Sequence, residues 1–534
     1  MTKCLRCFIF IFSLFAVFSV RAQSWEWERK AGSTANDVGL TLAQDKSSNL
    51  YLTGYFSDKL IIGSDTLLNA GGQDIFLAKY DSSGTLLWVR GAGGSGNDDG
   101  NALCVDDSNN VYVAGSIGTT AIFGSDTLTT FGIDDCFLAK YTPNGQLLWA
   151  KNMGGTGTDG ISFLAIDHTG HLIINGTFSN TAHFDNDSVI SKGGYDGFLA
   201  SYTTNGHLLW LKSGGGTGDD YYMSLTIDAG NNILSSGLFT TSATFSPYVV
   251  TGNGSNPNNT FVSKFYPNGQ IAWVEEAGGN GPAYGTSIAC DKTGSSYVAG
   301  YFAGTIQFDT TSLVSAGLED AFIAKYDANG KVKWAKRSGG PHYDYAFTVA
   351  TDQLANAYIT GYQGTVGNVY IYLAKYDSAG NFEWSKTAGG AGQINGGYGL
   401  IADTVHNLYL AGVFSSKCPF DTDTLQTSGG WDIFLAKITS PPDTDDLGII
   451  ELTKSSESII IYPNPSTGSF TIENKDGEIK KLSVYNTLGQ QITPAAIFPH
   501  QTSTHIDLSS QPAGIYFLQL KTGKGVATRK ISKE

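Results

Sequence analysis

The chain has 534 residues, of which 41% are hydrophobic, 12% aromatic and only 15% charged, with 67 glycines among them. A formal net charge of −15 argues against nucleic acid or anionic lipid as a partner, since both are held by clustered cations. Rich in glycine and aromatics and poor in charge, the composition suits many short strands joined by tight turns.

Met1 to Ala22 has the layout of a secretory signal peptide. Lys3 and Arg6 supply a positive start, Phe8 to Val20 is an apolar run, and Val20-Arg21-Ala22 offers a small-residue cleavage site after Ala22. The run is shorter than the ~20 residues that span a bilayer, and no later segment of the mature chain is a transmembrane candidate. Cys4 and Cys7 precede or begin the run, which argues against a lipid-anchored N-terminus. Cleavage removes three of the 33 cations and no anion, leaving 30 against 48 acidic residues, a charge of −18. Four cysteines survive, Cys104, Cys136, Cys290 and Cys418, at different repeat positions; they form no disulfide ladder, although one isolated bridge stays open.

From there one phrase recurs. Phe76-Leu77-Ala78-Lys79-Tyr80 followed by Trp88 returns as Phe137 to Tyr141 with Trp149, and as Phe198 to Tyr202 with Trp210. It returns again as Phe261 to Tyr266 with Trp273, Phe322 to Tyr326 with Trp334, and Tyr372 to Tyr376 with Trp384. Trp27 lacks the first half and Phe434 to Ile438 lacks the second. Trp positions 27, 88, 149, 210, 273, 334 and 384 differ by 61, 61, 61, 63, 61 and 50. Such a period is the mark of a repeat architecture.

Within each period a glycine-rich turn leads to a short apolar strand ending in Asp, and Gly follows nine residues later, as in Asp45/Gly54 and Asp106/Gly115. Next comes an excursion such as Phe123-Gly124-Ser125-Asp126-Thr127-Leu128, then the Phe-Leu-Ala-Lys and Trp strands. Four strands per period make a propeller blade. Gly364 to Asn368 is too short for the excursion, which accounts for the 50-residue period. A unit split between the two chain ends helps an array that closes on itself, because the strand around Trp27 can pair beside Phe434 to Ile438 and hide both edges. The expected fold is therefore all-β: a seven-bladed β-propeller over 23–440, closed by the N-terminal strand, with the indoles wedged between neighbouring sheets.

The phrase, together with D-x-x-G-N-x-Y-V-A-G, resembles the bacterial SBBP-type β-propeller repeat of secreted and cell-surface proteins similar to S-layer glycoproteins. That resemblance runs from about Ser24 to Thr439 and implies fold and surface location rather than one chemistry.

Residues 441–455 form a polar linker containing Pro441, Pro442 and several acids. From 456 to 534 lies an unrepeated module that reads as a small antiparallel β-sandwich. It carries Tyr462-Pro463-Asn464-Pro465 with Gly468, Val484-Tyr485-Asn486 with Gly489, and Pro512-Ala513-Gly514. In that order at the C-terminus, these phrases resemble the type A C-terminal sorting domain of the type IX secretion system of Bacteroidota. The resemblance implies the type IX machinery as a partner, and a product attached to the outer surface or released.

Signals of chemistry are sparse. An acid stands eight places before the repeat Asp in five periods, at Asp37, Asp98, Asp159, Asp220 and Asp344, with Ala283 and Asn395 in the others. A carboxylate ring could hold Ca²⁺, but bonding of Asp to backbone is the preferred reading of a repeat-wide feature. A second series, Asp74, Asp135, Asp196, Asp320 and Asp432, is read the same way. Asp65-Thr66-Leu67, Asp126-Thr127-Leu128, Asp187-Ser188-Val189 and Asp423-Thr424-Leu425 resemble the Bacteroidota O-glycosylation pattern, though a plain turn explains them. The G-x-G-x-x-G matches at Gly91 to Gly96 and Gly155 to Gly160 lack a following helix and are repeat turns. His168 and His171 have no metal-ligand partner nearby in sequence, and no catalytic or cofactor motif is present. The expected function is non-enzymatic, without a cofactor: an exported module binding an extracellular protein or glycan. The alternative is a polysaccharide-active enzyme with its site at the central channel. Regular repeats favour binding, since the departures are confined to Ser246 to Asn259, the short sixth period and Gln393 to Gly397. Tyr221-Tyr222 and His342-Tyr343-Asp344-Tyr345 could touch a sugar ring but are expected to pack in the core.

Overall fold

A computed structural model describes residues 23–252, 255–365, 367–390, 394–404, 407–439, 459–475, 477–486, 492, 496–497, 501–522 and 525–534. The signal peptide with its cleavage site after Ala22, the linker 441–455 and Gly489 lie outside the described residues. The chain divides at Pro441 into two compact units. Every regular element among the described residues is a β-strand.

The larger unit is a succession of four-stranded antiparallel meanders, one per sequence period. In the second, Asp99–Val105, Val111–Phe123, Asp126–Tyr141 and Leu147–Gly155 pair in order. The Phe-Leu-Ala-Lys phrase is the buried half of the third strand, and Trp sits in the fourth. Six meanders are contiguous in the chain. The seventh takes three strands from its C-terminal end and the fourth from its beginning, because Ser24–Gly32 lies antiparallel to Asp423–Thr439 with Trp27 opposite Lys437 and Lys30 opposite Phe434. Its core spans the two ends as well, joining Phe76 and Leu52 to Tyr409, Ile433 and Leu435. The first strands touch one another in turn, from Asp37–Gln44 through to Asn395–Ala402, and the last touches the first.

Three repeated features explain why these residues form these sheets. The Gly nine places after each Asp lies opposite a bulge in the first strand, and a Cβ on Gly54 would stand 1.9 Å from the Val38 carbonyl oxygen. Only glycine admits that approach. The repeat Asp receives the Phe-Leu-Ala-Lys lysine: Lys79 Nζ is 3.3 Å from Asp45 Oδ2, Tyr51 Oη donates to the same oxygen at 3.2 Å, and Lys79 lies 4.7 Å from the Tyr51 ring centre. The pattern recurs with Lys325, Asp291 and Tyr297. Burial pushes the Asp45 carboxyl up, but bonds from Asn49 and the Lys79 charge outweigh it and hold it below its ordinary value.

The indole is the third feature. Trp88 packs on Gly145 in the following meander, where a Cβ would come within 2.9 Å of the ring, and its Nε1 donates to the Pro143 carbonyl at 3.1 Å. The same ring-on-glycine contact links Trp27 to Gly84, Trp210 to Gly269, Trp273 to Gly330 and Trp334 to Gly380. Gly145 has φ of 73°, a turn conformation that also requires glycine. The wedge role expected of the indoles is thus realised, each ring half-buried between two sheets.

The four cysteines are free thiols, with Cys104, Cys136 and Cys418 buried, so the bridge left open by the sequence does not form. In the smaller unit, one sheet pairs Ile459–Tyr462, Ser469–Asn474 and Ser503–Asp507, and another joins Ala496–Ile497, Ile479–Asn486, Gly514–Thr522 and Gly525–Lys533. Phe470, Ile472, Leu482, Val484 and Leu518 form their shared core, the expected two-sheet packing.

Candidate functional site

The first acidic series lies where the first strands begin, and each carboxylate accepts backbone N–H bonds. Asp98 accepts from Gly94 N at 2.7 Å and Gly118 N at 3.0 Å, Asp159 from Gly155 N at 2.7 Å and Ser179 N at 3.1 Å. Asp37 does so with Ser33 and Ser57, Asp220 with Gly216 and Thr240, and Asp344 with Gly340. Asn395 fills the same place, its Oδ1 accepting from Ser415 N at 3.1 Å while its Nδ2 donates to the Val369 carbonyl at 2.6 Å. These contacts staple each turn to the neighbouring hairpin.

What the sequence did not reveal is that the two acidic series meet. Asp98 faces Asp74 of the preceding meander, Asp159 faces Asp135, Asp220 faces Asp196, Asp344 faces Asp320, and Asp37 faces Asp432 across the closure. A Cβ on Gly154 would touch oxygens of both Asp135 and Asp159, at 2.6 and 2.9 Å. The Oδ1 atoms of Asp74, Asp135, Asp196, Asp320 and Asp432 are buried and make no hydrogen bond within the protein. Burial first, and the facing carboxylate second, push Asp37, Asp98 and Asp159 up to about 7 and Asp220 to about 6, against the pull of their backbone donors. Burial beside a second carboxylate thus favours the protonated form of Asp37, Asp98, Asp159 and Asp220 up to near neutral pH. Among the described residues no three His, Cys, Asp or Glu side chains converge as metal ligands. His171 bonds through Nδ1 to Asp167 at 3.2 Å, within its own turn.

The departure from repeat symmetry that matters lies beside Asp344. In the fifth to seventh meanders aromatic side chains cluster at three recurring positions on the inner strands, where other meanders carry Ser116, Thr177, Gly160 or Asn101 along with the isolated Tyr55 and Tyr221. The rings run in contact: Tyr284 stacks on Tyr301 at 4.8 Å, Tyr301 meets Tyr345 at 4.1 Å, and Tyr345 meets Tyr362 at 4.6 Å. Phe347 continues from Tyr362 at 5.5 Å and stacks on Tyr398 at 5.0 Å. All six are half-buried, and Tyr343 beside them is exposed. Tyr345 Oη donates to the Glu319 carboxylate. Burial pushes Tyr301, Tyr362 and Tyr398 up to about 12, so these phenols stay neutral donors.

The expectation of core packing thus holds for Tyr222, which is 3% exposed, but not for Tyr343, exposed, or Tyr345, half-buried in the run. Loop lengths hide this asymmetry; reading off the residue after each repeat Gly, which is Tyr55, Ser116, Thr177, Leu238, Tyr301, Tyr362 and Val413, points toward it. The hydroxyls of Thr66, Thr127, Ser188 and Thr424 stand exposed on the excursion hairpins.

In the smaller unit the sorting-motif residues tie strands together. Asn464 receives Ser532 N at 2.8 Å and donates to the Lys530 carbonyl at 3.1 Å, while Tyr516 Oη donates to the Pro512 carbonyl at 2.6 Å. Gly468 accepts from Leu508 N at 2.6 Å, and a Cβ on it would meet Ser509 at 2.7 Å. Tyr462, Pro463 and Pro465 are exposed at this end, and Gly514 opens the strand that follows Pro512.

Compared with known proteins, the chain is 22% identical over 428 residues to an uncharacterised WD repeat-containing protein of Acanthamoeba polyphaga mimivirus, covering 63% of this chain and 31% of that one. It is 31% identical over 144 residues to the regulatory protein FlaEY of Caulobacter vibrioides, covering 26% of this chain and 15% of that one. The chain thus spans less than a third of the length of these curated relatives. Among solved structures, a fungal alcohol oxidase of the AA5 family in complex with copper superposes with a TM-score of 0.41 at 11% identity, covering 96% of this chain and 99% of that one. A DUF4221 protein from Bacteroides vulgatus gives 0.27 at 10% identity, covering 63% and 92%. Residues 460–534 match the secretion system C-terminal sorting domain, a type IX sorting tail that supports export to the cell surface or beyond.

Proposed function

We propose that the larger unit is a seven-bladed SBBP-type β-propeller, exported by the type IX system and kept at the cell surface or released, and that it acts as a non-enzymatic binding module for a glycan. The ring of first strands and the pairing of Ser24–Gly32 with Asp423–Thr439 support the blade count. One observation carries the ligand class: the half-buried aromatic run from Tyr284 to Tyr398 on the inner strands of three adjacent meanders. Flat apolar rings with hydroxyl donors at their edges suit a sugar, whose faces are apolar and whose rim is polar. Calcium has no part in this reading, because each Asp of the first series is already engaged with backbone donors.

The test is glycan-array binding by the secreted full chain, with and without chelator, beside Tyr301→Ala and Tyr345→Ala. Binding that survives the chelator and is lost in both variants is expected. Binding lost on chelation would promote the acid pairs to a metal site. Glycan binding unchanged in the variants, or release of hydrolysis products from a polysaccharide, would overturn the reading.

A further inference from the structure

The excursion hairpins are clasps. Each extends from the second and third strands of one meander toward the outer strand of the meander before it, and among the described residues five of them pair with that strand. Gly93 and Gly94 pair with Ile122 and Ala121, Gly154 and Gly155 with His183 and Ala182, and Ala277 to Gly279 with Phe308 to Ile306. Gly215 exchanges bonds with Thr244 at 3.2 and 3.0 Å, and Ala31 and Gly32 pair with Ile62 and Ile61 across the closure. Each clasp after the first also lays an aromatic ring on the Phe that opens the Phe-Leu-Ala-Lys phrase: Phe123 on Phe137 at 4.9 Å, Phe184 on Phe198 at 4.7 Å, Phe245 on Phe261 at 4.7 Å and Phe308 on Phe322 at 5.2 Å. At the sixth-to-seventh junction Phe420 lies on Phe434 at 5.7 Å, and Asp421 at the hairpin tip holds Lys386 at 2.9 Å.

The fifth-to-sixth junction has no clasp. The sixth meander turns back at once, Thr365 pairing with Asn368, and among the described residues no strand pairs with the outer side of Val332–Ser338. A groove of about 810 Å³ lies in its place, bounded by Lys336 to Gly340 on one side and Tyr372, Tyr376 and Phe382 on the other. The local sequence answers the missing roof. Tyr372 replaces the Phe found in the other six copies, and its hydroxyl pairs with Ser338 Oγ at 2.5 Å, where other meanders carry Ala92, Met153, Gly214 or Ala277. Phe382 is 56% exposed, and Lys333 and Lys336 are exposed on the open edge of an otherwise acidic chain.

We propose that this groove accepts an extended β-strand from another protein, which pairs with the outer edge of residues 336–340 as the chain's own clasps do at the equivalent junctions. Strand addition to an open edge takes its affinity from main-chain bonds and its selectivity from pockets for alternate side chains. The fitting strand places an apolar or aromatic side chain over Tyr372, as Phe123 lies over Phe137, and carries acidic neighbours toward Lys333 and Lys336. The charge on the edge also discourages pairing between copies of this chain.

The probe is a synthetic peptide copying the fifth meander's clasp, residues 303–316, titrated into the full secreted chain. Saturable binding is expected, with hydrogen-exchange protection gained at 336–340. The same peptide carrying Gln307→Pro should bind about tenfold or more weakly, because Gln307, opposite Gly278, is the counterpart of Thr244, whose N–H donates to Gly215, and proline removes that ladder donor. Inserting residues 303–316 between Thr365 and Asn368 should abolish peptide binding while leaving glycan binding unchanged. No binding, or equal binding of the proline peptide, would overturn the proposal, as would protection elsewhere. Dimers of the chain that the insertion abolishes would make the occupant a second copy and overturn it too.

Discussion

Replacing Asp98 by Asn tests the acid pairs in the proton inventory of the fold. Asp98 is buried, accepts two backbone bonds and faces Asp74, whose Oδ1 has no partner in the protein. Burial raises its folded-state pKa to about 7 from an ordinary 3.8, so the folded chain holds a proton that the unfolded chain releases. Stability from this group is complete below about pH 4 and is lost as pH rises toward 7, the reverse of an ion-paired carboxylate. Each tenfold gain in proton affinity on folding is worth ~1.4 kcal/mol, which sets an upper bound of about 4 kcal/mol. Relaxation of the pair reduces what is measured, so ~1–2 kcal/mol between pH 4 and 8 is expected for one junction of five. Asn keeps one oxygen, for Gly118 N, and its amide N–H faces Asp74, so Gly94 N loses its acceptor; Asn395 likewise accepts a single backbone bond, from Ser415 N. The assay is the denaturation midpoint of variant and wild type at intervals from pH 4 to 8. Asn should fall below wild type by ~1 kcal/mol at the acid end, for the lost bond to Gly94 N, and close or reverse that gap by pH 8 because it has no proton to lose. A variant with an unaltered pH slope would refute the raised proton affinity of Asp98.

Other perturbations bear on the repeat chemistry. Lys325→Ala leaves Asp291 buried without its cation at 3.4 Å, and about 3 kcal/mol should be lost in urea unfolding. Trp88→Ala opens a gap against Gly145 and should cost ~3 kcal/mol, while Gly145→Ala, forced into φ of 73° beneath the ring, should cost ~1–3 kcal/mol by the same assay. Deleting residues 24–32 uncovers the edge of Asp423–Thr439, so light scattering should show concentration-dependent association that the intact chain lacks.

Fold and site were not equally legible. The Trp spacings, the split unit and the short sixth period are one-dimensional facts, and each maps directly onto strand order: Trp27 lies opposite Lys437, and the sixth meander lacks its hairpin. A repeated core residue such as Lys79 announces itself because six of the seven meanders carry it at the same place, Ser201 standing there in the third. Asp98 and Asp74 look alike as two separate series, and only the stacking of one meander on the next brings them face to face. Tyr284, Tyr345 and Tyr398 lie in different periods and read as scattered aromatics until the inner strands carry them together. The sequence by itself determined the period, the strand order and the pairing of the first strand with the last, since these follow from local hydrophobic pattern and turn chemistry. The acid pairs, the aromatic run and the unroofed groove were decided only by the tertiary structure, because each belongs to a junction between meanders, where contacts join residues whose local patterns carry no mark of one another.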